Sequence, residues 1–248
     1  KKLIFGRKVE ELRYGENPHQ KAAIYSSVPQ TNFRQLSGKK LSYNNYNDIY
    51  AALTISKSLP KNRGTVIIKH SNPCGVSIEK NKIKSFKLAF DCDPISSFGG
   101  IVCCNFKIKK LMAVELNKTF FEIVISNGIE KKALKILRKK KNLRVIDASR
   151  INVDIAQQQM VTHLDNINIQ SIDNFKLRKM DFKVVSKVKP NKKEFDELIF
   201  AFNICRYVKS NAIVLAKNYT TVGIGTGQPS RIDSCEIAIR KMKKFSLD

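Results

Sequence analysis

Short apolar runs alternate along this chain with stretches whose apolar side chains recur three or four residues apart. The first pattern suits buried strands and the second suits helices with one face on a core, so the chain reads as α/β. Strands are predicted near Ala22–Tyr25, Thr65–Ile68, Gly100–Cys104, Glu122–Ile125 and Leu143–Ile146. Helices are predicted over Asp48–Ser58, Lys82–Ala89, Lys109–Asn117 and Glu130–Lys139. In the first of these Ile49, Ala52, Leu53 and Ile55 fall at core-facing spacing, and Asp48 gives an acidic start that suits the helix dipole.

The pattern fades from Ile151 to Asn174, which is polar and rich in Gln and Asn, and this segment reads as a connector. A second α/β stretch follows: a strand near Phe182–Val188, a helix Lys192–Tyr207, strands Ala212–Ala216 and Thr221–Ile224, and a helix from Ser230 to Lys243. The expected division is residues 1–150, a connector 151–181, and a shorter unit 182–248. Residue 1 is Lys rather than Met, which fits a piece of something longer.

Composition narrows the class only modestly. At 248 residues, 42% hydrophobic and 27% charged, the chain is of ordinary globular make-up and can bury a sizeable core. No apolar run reaches the roughly 18 residues of a membrane helix, and the start of the chain has no signal-peptide pattern. The 6 cysteines include no Cys-x-x-Cys and only 3 histidines accompany them, which favours reduced thiols in a cytoplasmic protein and no structural zinc. A net charge of +25 would suit an anionic partner. The dense basic run Arg138-Lys139-Lys140-Lys141, however, has no interleaved aromatics to stack bases, so nucleic acid is not the expected ligand.

Candidate chemistry sits in five short motifs. Lys69-His70-Ser71-Asn72-Pro73-Cys74-Gly75 leaves an apolar run and sets a cation beside an imidazole, with Pro73 and Gly75 expected to turn the chain. The carboxyl end of a strand is where open α/β sheets place ligands, and His and Lys are apt groups for proton transfer. Pro73-Cys74 is similar to part of the zinc-deaminase signature, but position 77 is Ser and no His-x-Glu occurs. Arg13-Tyr14-Gly15-Glu16-Asn17-Pro18-His19-Gln20 is a loop crowded with hydrogen-bonding heads, open to reading as a ligand loop or plain surface. Leu41–Asp48 leads into a helix, where its Asn and Asp residues suit capping.

Asp93-Pro94-Ile95-Ser96-Ser97-Phe98-Gly99-Gly100 either turns tightly or lets a ligand approach backbone. Gly223-Ile224-Gly225-Thr226-Gly227-Gln228-Pro229-Ser230-Arg231 has neither the dinucleotide nor the Walker spacing, yet it offers backbone N–H groups and Arg231 at a helix start.

In their order these motifs resemble the transformylase part of the bifunctional AICAR transformylase/IMP cyclohydrolase family of purine biosynthesis, over nearly the whole chain. The resemblance implies two cytidine-deaminase-like three-layer α/β/α units, the second incomplete. It implies transfer of a formyl group from 10-formyltetrahydrofolate to the 5-amino group of AICAR in the cytoplasm, with no zinc. By motif, Lys69, His70 and Asn211 would be catalytic. Arg13, Tyr14, Gly99, Glu122 and Arg231 would bind nucleotide, with Ile232 beside the folate. The implied assembly is a homodimer with the site at its interface, and no nucleic-acid or membrane partner.

Two departures are expected to matter: no cyclohydrolase part precedes Arg13, and the family's C-terminal contacts are missing after Asp248. Weak or no turnover is therefore expected of the chain alone. A metal-dependent deaminase-like enzyme and a basic nucleic-acid-binding module are the rival readings.

Overall fold

The computed structural model describes residues 6–27, 33–151, 158–173, 175, 177–245 and 247. The protein is α/β, with a mixed eight-stranded sheet and seven α-helices among these residues. A small antiparallel pair, β1 (Arg7–Glu11) and β2 (Ala23–Ser26), opens the chain. The main sheet then takes β3 (Arg34–Ser37), β4 (Gly64–Lys69), β5 (Asn72–Ile78), β6 (Ile101–Cys104), β7 (Ile123–Ser126) and β8 (Arg144–Asp147). β9 (Gln158–His163) and β10 (Asn166–Ser171) form a separate exposed hairpin, and β11 (Ile213–Lys217) and β12 (Thr220–Gly225) return to the main sheet. The spatial order is β11-β12-β5-β4-β6-β7-β8-β3, with only β6–β7 and β7–β8 parallel.

Seven helices flank these strands: α1 (Tyr43–Ser58), α2 (Lys82–Asp91), α3 (Pro94–Ser97), α4 (Lys110–Leu116), α5 (Lys131–Leu137), α6 (Lys192–Cys205) and α7 (Arg231–Lys244). One apolar core joins α1 and α6 to the sheet through Ile49, Ala52, Ile55, Val66, Ile68, Val76, Phe200 and Ile204. The other joins α2, α4 and α5 through Ile67, Phe86, Val102, Met112, Val124 and Leu137. Alternation along β4 explains the division: Val66 and Ile68 face one layer and Ile67 the other. The predicted apolar face of α1 is buried as expected, with Ile49, Ala52, Leu53 and Ile55 all in the core.

The order helix–strand–strand–helix occurs twice, as α1–β4–β5–α2 and α6–β11–β12–α7. In both copies a glycine on the second strand lets the following helix ride directly on backbone. A Cβ on Gly75 would lie 1.9 Å from the Ala89 carbonyl of α2, and one on Gly225 would lie 1.8 Å from the Ser234 carbonyl of α7. No side chain fits there.

Two expectations fail, and the connector gains structure. Phe182–Val188 is not a strand; it follows a short 3-10 turn (Lys179–Asp181) as largely exposed coil, because its valines find no core. The expected connector contains the β9–β10 hairpin, although residues 152–157, 174 and 176 within it lie outside the described residues. Helix α1 starts at Tyr43 rather than Asp48. Ser42 caps it, receiving the Asn45 amide at 3.3 Å while the Asn45 side chain receives the Ser42 amide at 3.1 Å.

Candidate active site

The chain reverses at His70-Ser71 and not at Pro73–Gly75. Lys69 pairs with Asn72, and the two residues between them have φ of 52° and 60°. Both lie in the left-handed region a tight type I′ hairpin requires, which Asn and Gly ordinarily fill. Asp48 of α1 holds the turn: one carboxylate oxygen accepts the Ser71 amide at 2.6 Å and the Ser71 hydroxyl at 3.3 Å. Burial keeps the Asp48 carboxyl above its ordinary range, against the opposing pull of those bonds and of His70. Pro73, Cys74 and Gly75 run on into β5, where Cys74 is the extra residue of a bulge opposite Ile67 and Ile68. Its thiol is buried, which pushes it up to about 12 and leaves it protonated at neutral pH.

β4 runs antiparallel to β6, so its carboxyl end meets the amino ends of β6, β7 and β8. The rule for parallel sheets thus does not describe this edge, where the end of β4 meets the starts of β5, β6, β7 and β8. There the Lys69 ammonium donates to the Phe98 carbonyl at 2.9 Å, one residue before Gly99. Gly99 has φ of 74°, donates its amide to Phe120 at 2.8 Å, and leads into Gly100, whose carbonyl receives the Glu122 amide at 2.9 Å. The exposed rings of Phe98 and Phe120 pack 5.4 Å apart beside it.

Glu122 is fixed from two sides, by Arg144 at 3.0 Å and by the Asn45 side chain at 3.1 Å. Both bonds fall on Oε1, which leaves Oε2 for a ligand. The Arg144 side chain is only 6% exposed. Its remaining N–H groups reach the carbonyls of Lys39 and Lys40 at 3.1 and 3.3 Å, and burial lowers its pKa. Arg13 and Tyr14 add to the electrostatic field at this guanidinium. Arg13 lies 4.7 Å over the Tyr14 ring. The loop carrying them is seated on the α1 entry by Tyr43 to Tyr14 at 3.3 Å and Asn44 to Glu16 at 3.0 Å.

From the other side of β5 comes the Asn211 segment. The Asn211 side-chain nitrogen donates to the carbonyls of Gln228 and Pro229 at 3.0 and 2.8 Å, and the Ser234 hydroxyl donates to its backbone carbonyl at 2.9 Å. Both amide hydrogens are therefore spent on the backbone, so Asn211 has an acceptor, Oδ1, to offer. Ser230 caps α7 by accepting the Ile232 amide at 3.1 Å, and Arg231 and Ile232 stand exposed at that entry. Gly223 and Gly225 prove to be packing glycines beneath α7 rather than a phosphate cradle.

The nine expected site residues thus lie at one end of the sheet, on the loops that border it or, for Arg231 and Ile232, at the start of α7. Asp48, Asn72, Arg144 and Asn45 were not among them; a buried Arg or a partly buried Asp at such an edge is hard to place without knowing what it touches. A hollow of about 720 Å³ between α6, α7 and β11 contains none of the nine. Among the described residues, no group of three His, Cys, Asp or Glu side chains could hold a metal, and no helix is long and apolar enough to cross a membrane.

The AICARFT/IMPCHase bienzyme family model matches residues 2–241. The chain belongs to this family. The bifunctional purine biosynthesis protein PurH of Oceanobacillus iheyensis is 41% identical over 240 residues, covering 94% of this chain and 47% of the relative. The PurH proteins of Acetivibrio thermocellus and Leptospira biflexa are 41% and 40% identical, over 94% and 99% of the chain. The chain spans about half the length of these curated relatives of the AICARFT/IMPCHase bienzyme family.

Proposed function

We propose that the chain carries the AICAR formyltransferase site of purine biosynthesis. The observation that supports this most is the meeting of Lys69-His70, Gly99, Glu122 and Asn211 at one sheet edge, in a chain of the AICARFT/IMPCHase bienzyme family. The co-substrate is 10-formyltetrahydrofolate. The AICAR 5-amino nitrogen attacks the formyl carbon, the carbon–N10 bond breaks, and the products are formyl-AICAR and tetrahydrofolate. The nitrogen surrenders one proton and N10 gains one.

His70, exposed on a rigid turn, takes the amine proton, and Lys69 supplies charge and a proton toward N10. Asn211 contributes Oδ1, suited to accept from the attacking amine and orient it; an oxyanion would need the donor end already spent on Gln228 and Pro229. Arg13 and Arg231 attract the nucleotide phosphate, and Glu122 Oε2 suits a ribose hydroxyl. Tyr14 and Gly99 border the nucleotide, and Ile232 lies against the folate. The two copies of helix–strand–strand–helix correspond to the two cytidine-deaminase-like units. The exposed apolar side chains of Ile95, Phe98 and Phe120 suit a second copy closing the site as a homodimer, in the cytoplasm.

The test is AICAR-dependent release of tetrahydrofolate by protein extended to the relatives' length. Lys69→Ala and His70→Ala should each abolish it. Substantial turnover in both variants would overturn these roles.

A further inference from the structure

We propose that Asn72 is a positioning residue whose carboxamide fixes the His70 turn against the Asn211 segment. The inference rests on the formyltransferase reading for its catalytic consequence, and on geometry alone for the joint itself.

The two halves of the site belong to strands that are weakly laddered. β5 and β12 share a single backbone-paired position, Thr220 opposite Ser77. Next to it the seam is carried by side chains, with Ser77 and Thr220 hydroxyls 2.8 Å apart and the Val76 amide donating to the Thr221 hydroxyl at 2.9 Å. Ile78 to Tyr219 at 3.0 Å closes the end away from the site. Toward the site the seam is next crossed at Asn72. Its Oδ1 accepts the Lys209 amide at 3.1 Å and the Thr226 hydroxyl at 2.9 Å, while its Nδ2 donates to the His70 carbonyl at 3.0 Å.

The positions reached are informative. Lys209 lies two residues before Asn211, and Thr226 lies two before Gln228, the carbonyl that anchors the Asn211 side chain. Lys209 and Thr226 are also tied to each other, through Gly227 to Lys209 at 2.8 Å and Thr226 to Lys209 at 3.3 Å. One carboxamide therefore holds both walls of the Asn211 loop on one side and the His70 carbonyl on the other. Without it the seam ends at Val76, and nothing on β5 sets the spacing between imidazole and amide. Groups that act together on one substrate lose large factors from displacements of about an ångström.

The experiment compares Asn72→Ala, Asn72→Asp and Thr226→Val in protein of the relatives' length, by amide hydrogen exchange and formyl-transfer kinetics. In Asn72→Ala the Lys209 amide should exchange at least tenfold faster, while Val66 and Ile67 in the core stay protected. Asn72→Asp keeps the acceptor and should keep Lys209 protected. Thr226→Val, which spares the turn, should loosen Lys209 partially. In kinetics Asn72→Ala should lower kcat roughly ten- to hundredfold and change KM for AICAR by less, because of the proposed nucleotide-binding residues only Arg231 stands on the Asn211 side, at the start of α7. Unchanged Lys209 exchange in Asn72→Ala overturns the joint. Loosened Lys209 with kcat within twofold of the parent overturns its catalytic role. A parent without formyl transfer contradicts the formyltransferase reading instead, and the exchange result still decides the joint.

Discussion

Asp48 shows how one side chain can serve the site at the expense of the fold. Its carboxylate lies in a partly buried place that raises its pKa, and it holds two left-handed residues in a hairpin turn. A group whose folded pKa is raised costs stability when ionised, and that cost disappears as pH falls through the folded-state pKa. Asp48→Asn keeps an oxygen for the Ser71 amide and removes the charge. Its unfolding midpoint at pH 7 should equal or exceed that of the parent, measured by thermal denaturation, while formyl transfer falls at least fivefold because the field at His70 is lost. A lower midpoint would mean that the charge stabilises the turn.

Elements position these residues by close approach as much as by hydrogen bonds. Gly225 brings α7 onto β12, and Ser234, whose carbonyl it meets, also holds the Asn211 carbonyl by its hydroxyl. Gly225→Ala has no room, so α7 must shift, at a cost of about 3 kcal/mol. Urea denaturation should show that loss, and formyl transfer should fall more than the folded fraction does, since Asn211 moves with Ser234. Stability within 1 kcal/mol of the parent would show that α7 is not seated on Gly225.

Most helices and central strands were legible because their periodicities were strong, as at Ile49–Ile55 and Thr65–Ile68. β5 was missed because Pro73 and Gly75 read as punctuation. In the structure Pro73 is the second residue of β5, beside the bulge at Cys74, and Gly75 serves packing against α2. Phe182–Val188 had strand-like composition but no partner, a fact of tertiary structure that local pattern does not carry. The five motifs were visible as chemistry, but Asn72, Asp48 and Arg144 act through contacts made far along the chain, which spacing alone does not reveal.

At the scale of the molecule, the two helix–strand–strand–helix copies are also tied by an ion pair whose carboxylate is buried and whose ammonium is partly exposed. Lys241 of α7 reaches Asp93 at 2.7 Å, and Asp93 in turn caps α3 through the Ser96 amide at 2.9 Å. Burial alone would raise the Asp93 pKa, but the bonds from Lys241 and Ser96 outweigh it and the pKa is lowered. Its stabilisation is therefore present above the ordinary carboxyl range and is lost as pH falls below it. Lys241→Met should flatten the acid limb of the stability profile between about pH 5 and pH 2, read by urea denaturation at each pH. An unchanged limb would assign the acid sensitivity to other carboxylates.

The central claim is that the His70 turn and the Asn211 segment form one reacting site. Single-turnover transfer of labelled formyl from 10-formyltetrahydrofolate to AICAR tests it most directly, in His70→Ala, Asn211→Ala and the double variant of protein at the relatives' length. Residues acting as one unit are strongly non-additive, so the double variant should be no more than about threefold slower than the slower single variant. A double loss equal to the product of the single losses, or an Asn211→Ala rate equal to that of the parent, would contradict it.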